Sequence, residues 1–227
     1  MKPKVIGILA GMGPKSTGYF IDLVINQCQK QYGAKYDEDF PHIIIYSLPT
    51  PFYIDRPINH TKLKKVVRTG LKKLESFGVD FIAIPCNTVH AYFVFLEESI
   101  KIPLLNIIDE TLKSLDSKKS KITLLATPTT VDLGIYQKGI RKKGLDYFFK
   151  GEWQKTVNEV IKKIKSNEIQ SASLQWNKLL ESIRKEKVNT IIIGCTDLSI
   201  LEKPKYFTFI DTTERLAEAV VRNYLIK

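Results

Sequence analysis

Six short apolar segments rich in β-branched residues recur along this chain, and stretches with helical periodicity separate them. Short strands that are almost wholly apolar are typical of a parallel sheet covered on both faces. Parallel neighbours need a crossover, which a helix normally supplies. The alternation therefore predicts an α/β fold. The predicted strands are Val5–Leu9, His42–Tyr46, Phe81–Ile84, Ile122–Leu125, Thr190–Ile193 and Phe207–Ile210, with the clearest helices at Thr17–Lys30 and Thr61–Phe77.

A faint internal repeat relates the two halves of the chain. "KVIGILAGMGPKST" resembles "KITLLATPTTVD", "GVDFIAIPCNTVH" resembles "KVNTIIIGCTDLSI", and "IPLLNIIDETLKSL" resembles "YFTFIDTTERLAEAV", in the same order. These matches pair Cys86 with Cys195 and Asp109 with Asp211. The repeat predicts two similar three-layer lobes, related by a pseudo-two-fold axis, with mainly parallel sheets. We expect residues 1–105 with 209–227 in one lobe and 106–208 in the other.

The cysteine content and the N-terminus bear on the compartment. Three cysteines without paired spacing do not suggest a disulfide framework, so we expect a reducing, cytoplasmic location. The basic and apolar start "MKPKVIGILAGMG" is short and interrupted by Gly11 and Gly13, which favours a buried first strand over a secretion signal. No segment reaches the ~20 apolar residues that a membrane span needs, so we expect no membrane association.

The net charge of +11 raises nucleic acid as a partner. The lysines, however, are spread over helical stretches such as "HTKLKKVVRTGLKKLESF" and alternate with apolar positions, which is typical of solvated helix faces. Neither a basic motif interleaved with aromatics nor a helix-turn-helix spacing is present. We therefore expect no nucleic-acid partner, and the basic charge weakly favours small anionic substrates.

Cys86 and Cys195 stand where predicted strands end and polar turns begin. Ligands of open α/β sheets bind beyond the carboxyl ends of the strands, and a helix that starts there lowers a thiol pKa. If the two lobes face each other, the thiols flank one cleft. One thiolate could then remove an α-proton while the other thiol returns a proton to the opposite face, as a racemase requires. Cys28 lies in a helix and is assigned to packing.

Removal of an α-proton also places negative charge on the substrate carboxylate, which fixed donors must stabilise when no cofactor takes up the electrons. Backbone N–H groups of the two turns could do so, with the side chains of Asn87, Thr88 and Thr196. Asn87 and Thr88 could equally be helix caps. Arg56, in the loop "PTPFYIDRP", suits a bidentate carboxylate contact. Lys165 is one of many helical lysines, so its sequence context favours a surface role.

Other functions fit the same residues less well. "GMGPKST" lacks the glycine directly before the lysine that a phosphate loop requires, because Pro14 stands there. A zinc site from Cys86, His90 and Cys195 rests on weak spacing. A hydrolase with Cys86 as nucleophile and His90 as base would leave Cys195 without a role. The presence of both thiols disfavours a one-cysteine decarboxylase. A basic binding module is the remaining alternative.

The chain resembles the aspartate/glutamate racemase family, which works without pyridoxal phosphate. The resemblance rests on "GMGPKST", "PCNTVH", "LLATPTT" and "GCTDL", and "YSLPTPFYIDRP" is similar to the branch with aspartate and broad-specificity amino-acid racemases. It implies two α/β lobes with the active site in the cleft between them, commonly a homodimer, and neither cofactor nor metal. The implied reaction interconverts L- and D-aspartate or glutamate, with a broad-specificity racemase as the alternative.

The resemblance also implies roles for individual residues. Cys86 and Cys195 become the two acid/base groups, and Arg56 lies where the family keeps an arginine near the substrate side chain. Lys165 lies where aspartate racemases keep a lysine, although Lys162 or Lys163 could be its equivalent. Met12, Thr127 and Thr130 match the turns after the first strand of each half. The chain departs from the family at Asp197, where glutamate is common.

Overall fold

The computed structural model describes residues 3–115 and 120–226, which form two compact units. The first unit comprises Met1–Ile107 and Thr213–Lys227, and the second comprises Ile108–Thr212. Each contains a four-stranded parallel sheet flanked by helices, so the predicted α/β class with two lobes is confirmed. The unit boundaries differ slightly from the predicted ones. A boundary after residue 208 would split a strand, Thr208–Asp211, that pairs entirely within the second sheet.

The described elements alternate along the chain as the sequence predicts. The strands are β1 Val5–Ala10, β2 His42–Ser47, β3 Phe81–Ala83, β4 Leu104–Leu105, β5 Lys121–Ala126, β6 Asp146–Tyr147, β7 Thr190–Gly194 and β8 Thr208–Asp211. The helices are α1 Pro14–Tyr32, α2 His60–Glu75, α3 Phe93–Glu97, α4 Ile107–Lys113, α5 Pro128–Asp132, α6 Ile135–Lys142, α7 Gly151–Lys165, α8 Ile169–Lys185 and α9 Thr212–Leu225. Only the two-residue strands β4 and β6 escape prediction among these strands, because such short segments carry no periodicity.

The two sheets share one strand order. The first runs β2-β1-β3-β4 and the second β6-β5-β7-β8, with every pair parallel. Within each sheet the central strands are buried, as their apolar sequences require. Parallel strands place all their carboxyl ends at one edge, and that edge is where the segments containing Cys86 and Cys195 begin.

The strand registers revise one part of the predicted repeat. Ile82 of β3 lies opposite Leu104 of β4, and Ile191 of β7 lies opposite Phe209 of β8. With the two cysteine segments aligned, the equivalent of Asp211 is therefore Asn106, directly after β4. The predicted match to Asp109 is wrong, because Asp109 lies one turn further along, inside α4.

Helix packing builds the core of the first unit. The apolar side chains of α2 recur at helical spacing (Leu63, Val67, Leu71 and Leu74), and all four are buried against the sheet. The Asn59 side chain caps this helix by accepting a hydrogen bond from the Lys62 backbone N–H at 2.9 Å. In the parts of the chain that the structure describes, no helix has both the length and the apolar sequence needed to cross a bilayer.

Two buried tryptophans anchor the helices of the second unit. Trp153 of α7 donates its indole N–H to Ser182 Oγ of α8 at 3.0 Å, and Trp176 of α8 donates to the Glu202 carbonyl oxygen at 2.8 Å. A buried indole must pair its N–H, so both bonds define how these helices pack. Helix α7 also contacts β5 through Gln154, which donates to the Ala126 carbonyl oxygen, and the segment after β7 through Lys165, which pairs with Asp197.

Gly11 is required where the chain leaves β1. Its φ is +89°, and a Cβ there would lie 2.6 Å from the Leu48 carbonyl oxygen.

Gly11→Ala is therefore expected to lower the free energy of unfolding by about 2 kcal/mol or more, since it combines backbone strain with a clash against backbone. Gly18→Ala is the matched control, because a Cβ at this exposed position of α1 meets nothing within 4 Å. Urea unfolding should show Gly18→Ala neutral or stabilised by up to about 1 kcal/mol; equal losses would contradict this account.

Candidate functional site

Cys86 lies at the carboxyl edge of the first sheet. It follows β3 after Ile84 and Pro85, and its backbone N–H donates to the Ile84 carbonyl oxygen at 2.8 Å in a tight turn. The adjacent strand β1 ends at Ala10, so Gly11 and Met12 leave the sheet at the same edge. Met12 and Cys86 both pack against the hydrophobic core of this unit, and Cys86 is partly exposed.

Cys195 occupies the equivalent edge of the second sheet. It directly follows β7, and the pairing of Ala126 with Gly194 places Thr127 beside it. The hydroxyl groups of Thr127 and Thr130 are hydrogen-bonded at 3.0 Å, and Thr127 caps the short helix α5. Cys195 is 8% exposed and both threonines are buried. The strand pairing thus places Thr127 beside Cys195, and Thr127 in turn holds Thr130.

The segments that follow the cysteines are shorter than the predicted helices. Each is a five-residue 3₁₀ helix, Thr88–Tyr92 after Cys86 and Thr196–Ile200 after Cys195. A macrodipole grows from many aligned peptide groups, so one turn of this kind contributes little of the expected thiolate stabilisation. A helix does start after each thiol, as expected, but it is a five-residue 3₁₀ helix rather than an α-helix.

Three predicted donors lie inside these turns. Asn87, Thr88 and Thr196 are 3–4% exposed and immediately follow the cysteines. Asn87 occupies the N-cap position of its 3₁₀ helix, yet its side chain makes no capping hydrogen bond within that helix. The capping interpretation of Asn87 is therefore not supported.

His90 is bonded to the backbone on both sides of its ring. Nδ1 lies 2.8 Å from the Cys86 carbonyl oxygen, and Nε2 lies 3.3 Å from the Leu105 carbonyl oxygen at the end of β4. The ring is 2% exposed and stacks on Phe93, with centroids 5.8 Å apart. Because both nitrogens face carbonyl oxygens, His90 is poorly placed to act as the base of a Cys86 nucleophile.

The same contacts weaken the zinc hypothesis, since His90 has no nitrogen directed away from the backbone. Among residues 3–115 and 120–226, no three His, Cys, Asp or Glu side chains are grouped as metal ligands would be.

Lys165 is the lysine that reaches the Cys195 turn. Its Nζ lies 2.8 Å from Oδ2 of Asp197, whose side chain is 5% exposed. Lys163 instead pairs with Glu168, which lies just after the end of α7, at 3.5 Å. The placement favours Lys165 over Lys163 as the residue associated with the site, and it shows that this lysine has an acidic partner.

A second buried carboxylate holds the far end of the Cys195 turn. Ser199 Oγ donates to Asp211 Oδ1 at 2.9 Å, and Lys203 Nζ lies 2.7 Å from Asp211 Oδ2. Asp211 is 1% exposed and ends β8, opposite Ile193 of β7. Sequence reasoning placed Asp211 in the repeat but assigned it no role at the site.

Arg56 stands in an irregular loop after β2. Its side chain is 62% exposed, lies over the Tyr53 ring at 4.5 Å, and pairs with Asp55 at 3.4 Å. Like Lys165, it therefore already has an acidic neighbour.

Tyr92 and His60 form a pair near Cys86 that sequence reasoning missed. The Tyr92 hydroxyl is hydrogen-bonded to His60 Nδ1. Burial raises the pKa of Tyr92, and the negative charge of a Cys86 thiolate raises it further. Tyr92 is thus held as the neutral phenol close to this thiol. The only sequence signal was an aromatic residue with a polar tip six positions after the cysteine.

Comparison with known proteins gives a consistent result. The family model described as Asp/Glu/Hydantoin racemase matches residues 9–220. The chain is 45% identical over 224 residues to the broad specificity amino-acid racemase RacX of Bacillus subtilis, which covers 97% of this chain and 98% of that protein.

Solved structures agree with the sequence comparison. The chain is similar to the Picrophilus torridus aspartate racemase, with a TM-score of 0.83, 28% identity, and coverage of 97% of this chain and 94% of the other. An aspartate racemase homologue from Pyrococcus horikoshii gives a TM-score of 0.77 at 26% identity, covering 97% and 99% of the two chains.

The Lys165–Asp197 pair yields a stability prediction. Lys165→Met leaves the nearly buried Asp197 carboxylate without this counter-charge, and we expect a loss of about 1–2 kcal/mol after allowing for the partial exposure of the lysine. Lys162→Met, at an exposed position of the same helix, is the control and should stay within about 0.5 kcal/mol of the parent. Chemical unfolding at neutral pH measures both, and similar values for the two variants would argue against a stabilising ion pair.

Proposed function

This chain belongs to the Asp/Glu/hydantoin racemase family, whose members are isomerases, and we propose that it is a broad-specificity amino-acid racemase using Cys86 and Cys195 as its two acid/base groups. One observation carries the proposal. The two sheets have the same strand order, and each places one cysteine after its third strand at the carboxyl edge, where α/β proteins bind ligands.

The proposed reaction exchanges one proton at the α-carbon. The thiolate of one cysteine removes the α-proton, and the thiol of the other donates its proton to the opposite face, so the configuration inverts and no proton is gained or lost overall. This chemistry requires both sulfurs to reach one α-carbon from opposite faces.

The proposed reaction also requires donors for the charge that develops on the substrate carboxylate. Asn87, Thr88 and Thr196 are our candidates, together with the backbone N–H groups of their turns. Their burial beside the cysteines supports this role, because fixed donors in a site shielded from water stabilise developing charge most effectively.

The charge arrangement supports broad specificity over strict recognition of a second carboxylate. Arg56 pairs with Asp55, and Lys165 pairs with Asp197, so both cations assigned to a substrate side chain already have acidic neighbours. An acidic substrate would have to compete with these carboxylates. The relative at 45% identity is itself named as a broad-specificity amino-acid racemase.

An aspartate racemase is the second candidate. It is favoured by the similarity to the Picrophilus torridus enzyme and by the presence of Lys165 at the Cys195 turn. The homodimer and the cytoplasmic location inferred from the sequence stay predictions.

The two-thiol mechanism predicts paired defects. Cys86→Ala and Cys195→Ala should each lose racemisation by on the order of 10²-fold or more, since each lacks one positioned acid or base. Each should still exchange the α-proton of one enantiomer with D₂O, and the two variants should prefer opposite enantiomers. Mass spectrometry and chiral chromatography of the recovered amino acid measure both effects. Cys28→Ala is the control and should retain wild-type racemisation. A cysteine-site variant that racemises normally, or two variants that exchange the same enantiomer, would contradict the mechanism.

A racemisation screen over the common L-amino acids separates the two substrate candidates. We expect several neutral or basic amino acids to turn over at least as fast as aspartate. Arg56→Leu should then affect aspartate and alanine to similar extents, whereas an aspartate enzyme would lose roughly 2–5 kcal/mol on aspartate alone. Arg184→Leu is a matched control, because Arg184 is also 62% exposed, beside Glu181 and over the Tyr206 ring.

A further inference from the structure

The residue four positions after each cysteine ties its turn to the end of the neighbouring strand, but the two ties differ in chemistry. His90 connects the Cys86 turn to Leu105 at the end of β4. Ser199 connects the Cys195 turn to Asp211 at the end of β8. Equivalent positions thus hold a basic ring in the first unit and a hydroxyl bound to a carboxylate in the second.

The contacts of His90 indicate its protonation state. Both of its ring nitrogens face backbone carbonyl oxygens, at 2.8 and 3.3 Å. A carbonyl oxygen only accepts hydrogen bonds, and a neutral imidazole has only one N–H, so both contacts are hydrogen bonds only if the ring is an imidazolium. Burial of the ring opposes a positive charge, whereas two facing carbonyl oxygens, which only an imidazolium can both hydrogen-bond, support it.

That charge lies close to the Cys86 sulfur. Nδ1 is bonded to the carbonyl oxygen of Cys86 itself, so covalent geometry keeps the ring within roughly 7 Å of Sγ. At that distance a unit charge favours the thiolate by roughly tenfold or more, for an effective dielectric constant near 20. Tyr92 is held neutral, and Lys64 of α2 lies over the Tyr92 ring at 5.8 Å.

In the ion pairs described around Cys195, negative and positive charges are balanced. Asp197 and Asp211 are buried, and each is matched by one lysine, Lys165 at 2.8 Å and Lys203 at 2.7 Å. Cys195 itself is buried at 8% exposure, and burial disfavours the charged form of a thiol. The balanced pairs hold the turn in place without favouring a thiolate.

We propose that in the substrate-free enzyme Cys86 is the thiolate and Cys195 the thiol, and that His90 acts as a positioning residue that sets this difference. This assignment rests on the proposed function, which gives the two thiols their roles as acid and base. During one turnover Cys86 Sγ gains the α-proton and Cys195 Sγ gives up its own. The reverse reaction, or proton exchange with water, restores the starting form.

The protonation of His90 can be measured directly in the wild-type protein. The chain has three histidines, so single glutamine variants assign the ¹⁵N resonances of His42, His60 and His90. We expect both His90 ring nitrogens to carry protons at neutral pH. A ring with one protonated and one bare nitrogen would overturn the proposal.

The pH dependence of alkylation then tests the thiols separately. Iodoacetamide labelling of Cys86 and Cys195, followed by mass spectrometry, gives a titration midpoint for each that does not depend on its exposure. Cys86 should have the lower midpoint in the wild-type protein. His90→Gln should raise the Cys86 midpoint by about one pH unit and leave Cys195 unchanged. His42→Gln, at an exposed position on β2, should change neither.

The outcomes separate this proposal from the proposed function. A lower midpoint for Cys195, or a Cys86 midpoint insensitive to His90→Gln in a folded variant, would overturn the assignment even if both cysteines prove essential for racemisation. If His90→Gln does not fold, the wild-type midpoints and the histidine resonances still test the assignment of protons to Cys86, Cys195 and His90. Neither readout uses turnover, so a protein that racemises nothing can still show the predicted midpoints. Cys28, whose pKa is raised by burial, is an internal reference for a buried packing thiol.

Discussion

Parallel strand pairing is the constraint on which the rest of this structure depends. Because all strands of each sheet point the same way, every connection that leaves a carboxyl end starts from the same edge. The β1–β3 pairing therefore brings Met12 and the Cys86 segment to one edge, and the β5–β7 pairing does the same for Thr127 and Cys195. The candidate site residues are distant in sequence, and strand pairing makes them neighbours within each unit.

Holding those segments in place takes more than the sheet. The turns after the cysteines are single 3₁₀ helices, which have few hydrogen bonds of their own. Buried side chains compensate: His90 bonds the Cys86 turn to β4, while Asp197 and Asp211 fix the Cys195 turn to α7 and to β8. A buried carboxylate is tolerated when it is paired, so the lysines opposite each aspartate are part of the support. In the inference drawn above, the same groups that fix the turns also set the charge around each sulfur.

This dual use suits the proposed two-thiol mechanism, which has no organic electron sink. A racemase of this kind must stabilise a carbanion-like transition state with fixed donors and must control which thiol carries the proton. In that mechanism, short turns with buried anchors would provide rigid donors, and different anchors in otherwise equivalent units would provide a difference between the thiols. The internal repeat supplies two similar frameworks, while its departures at His90/Ser199 and Asn106/Asp211 supply the asymmetry that two distinct proton-transfer partners need.

The sequence by itself determined the α/β class, the six longer strands, the two similar halves and the location of both cysteines at strand ends. Each of these depends on local periodicity or on short motifs, which can be recognised in a single sequence. It did not determine β4 and β6, the 3₁₀ character of the cysteine turns, or the equivalence of Asn106 with Asp211, because two-residue strands and single turns carry no periodic signal. The pairing of Lys165 with Asp197 and the contact of His90 with Leu105 were decided only by tertiary structure. A charged or aromatic side chain gains its role from the groups that packing places within a few ångströms of it, and those groups lie on other strands and helices that sequence spacing does not reveal.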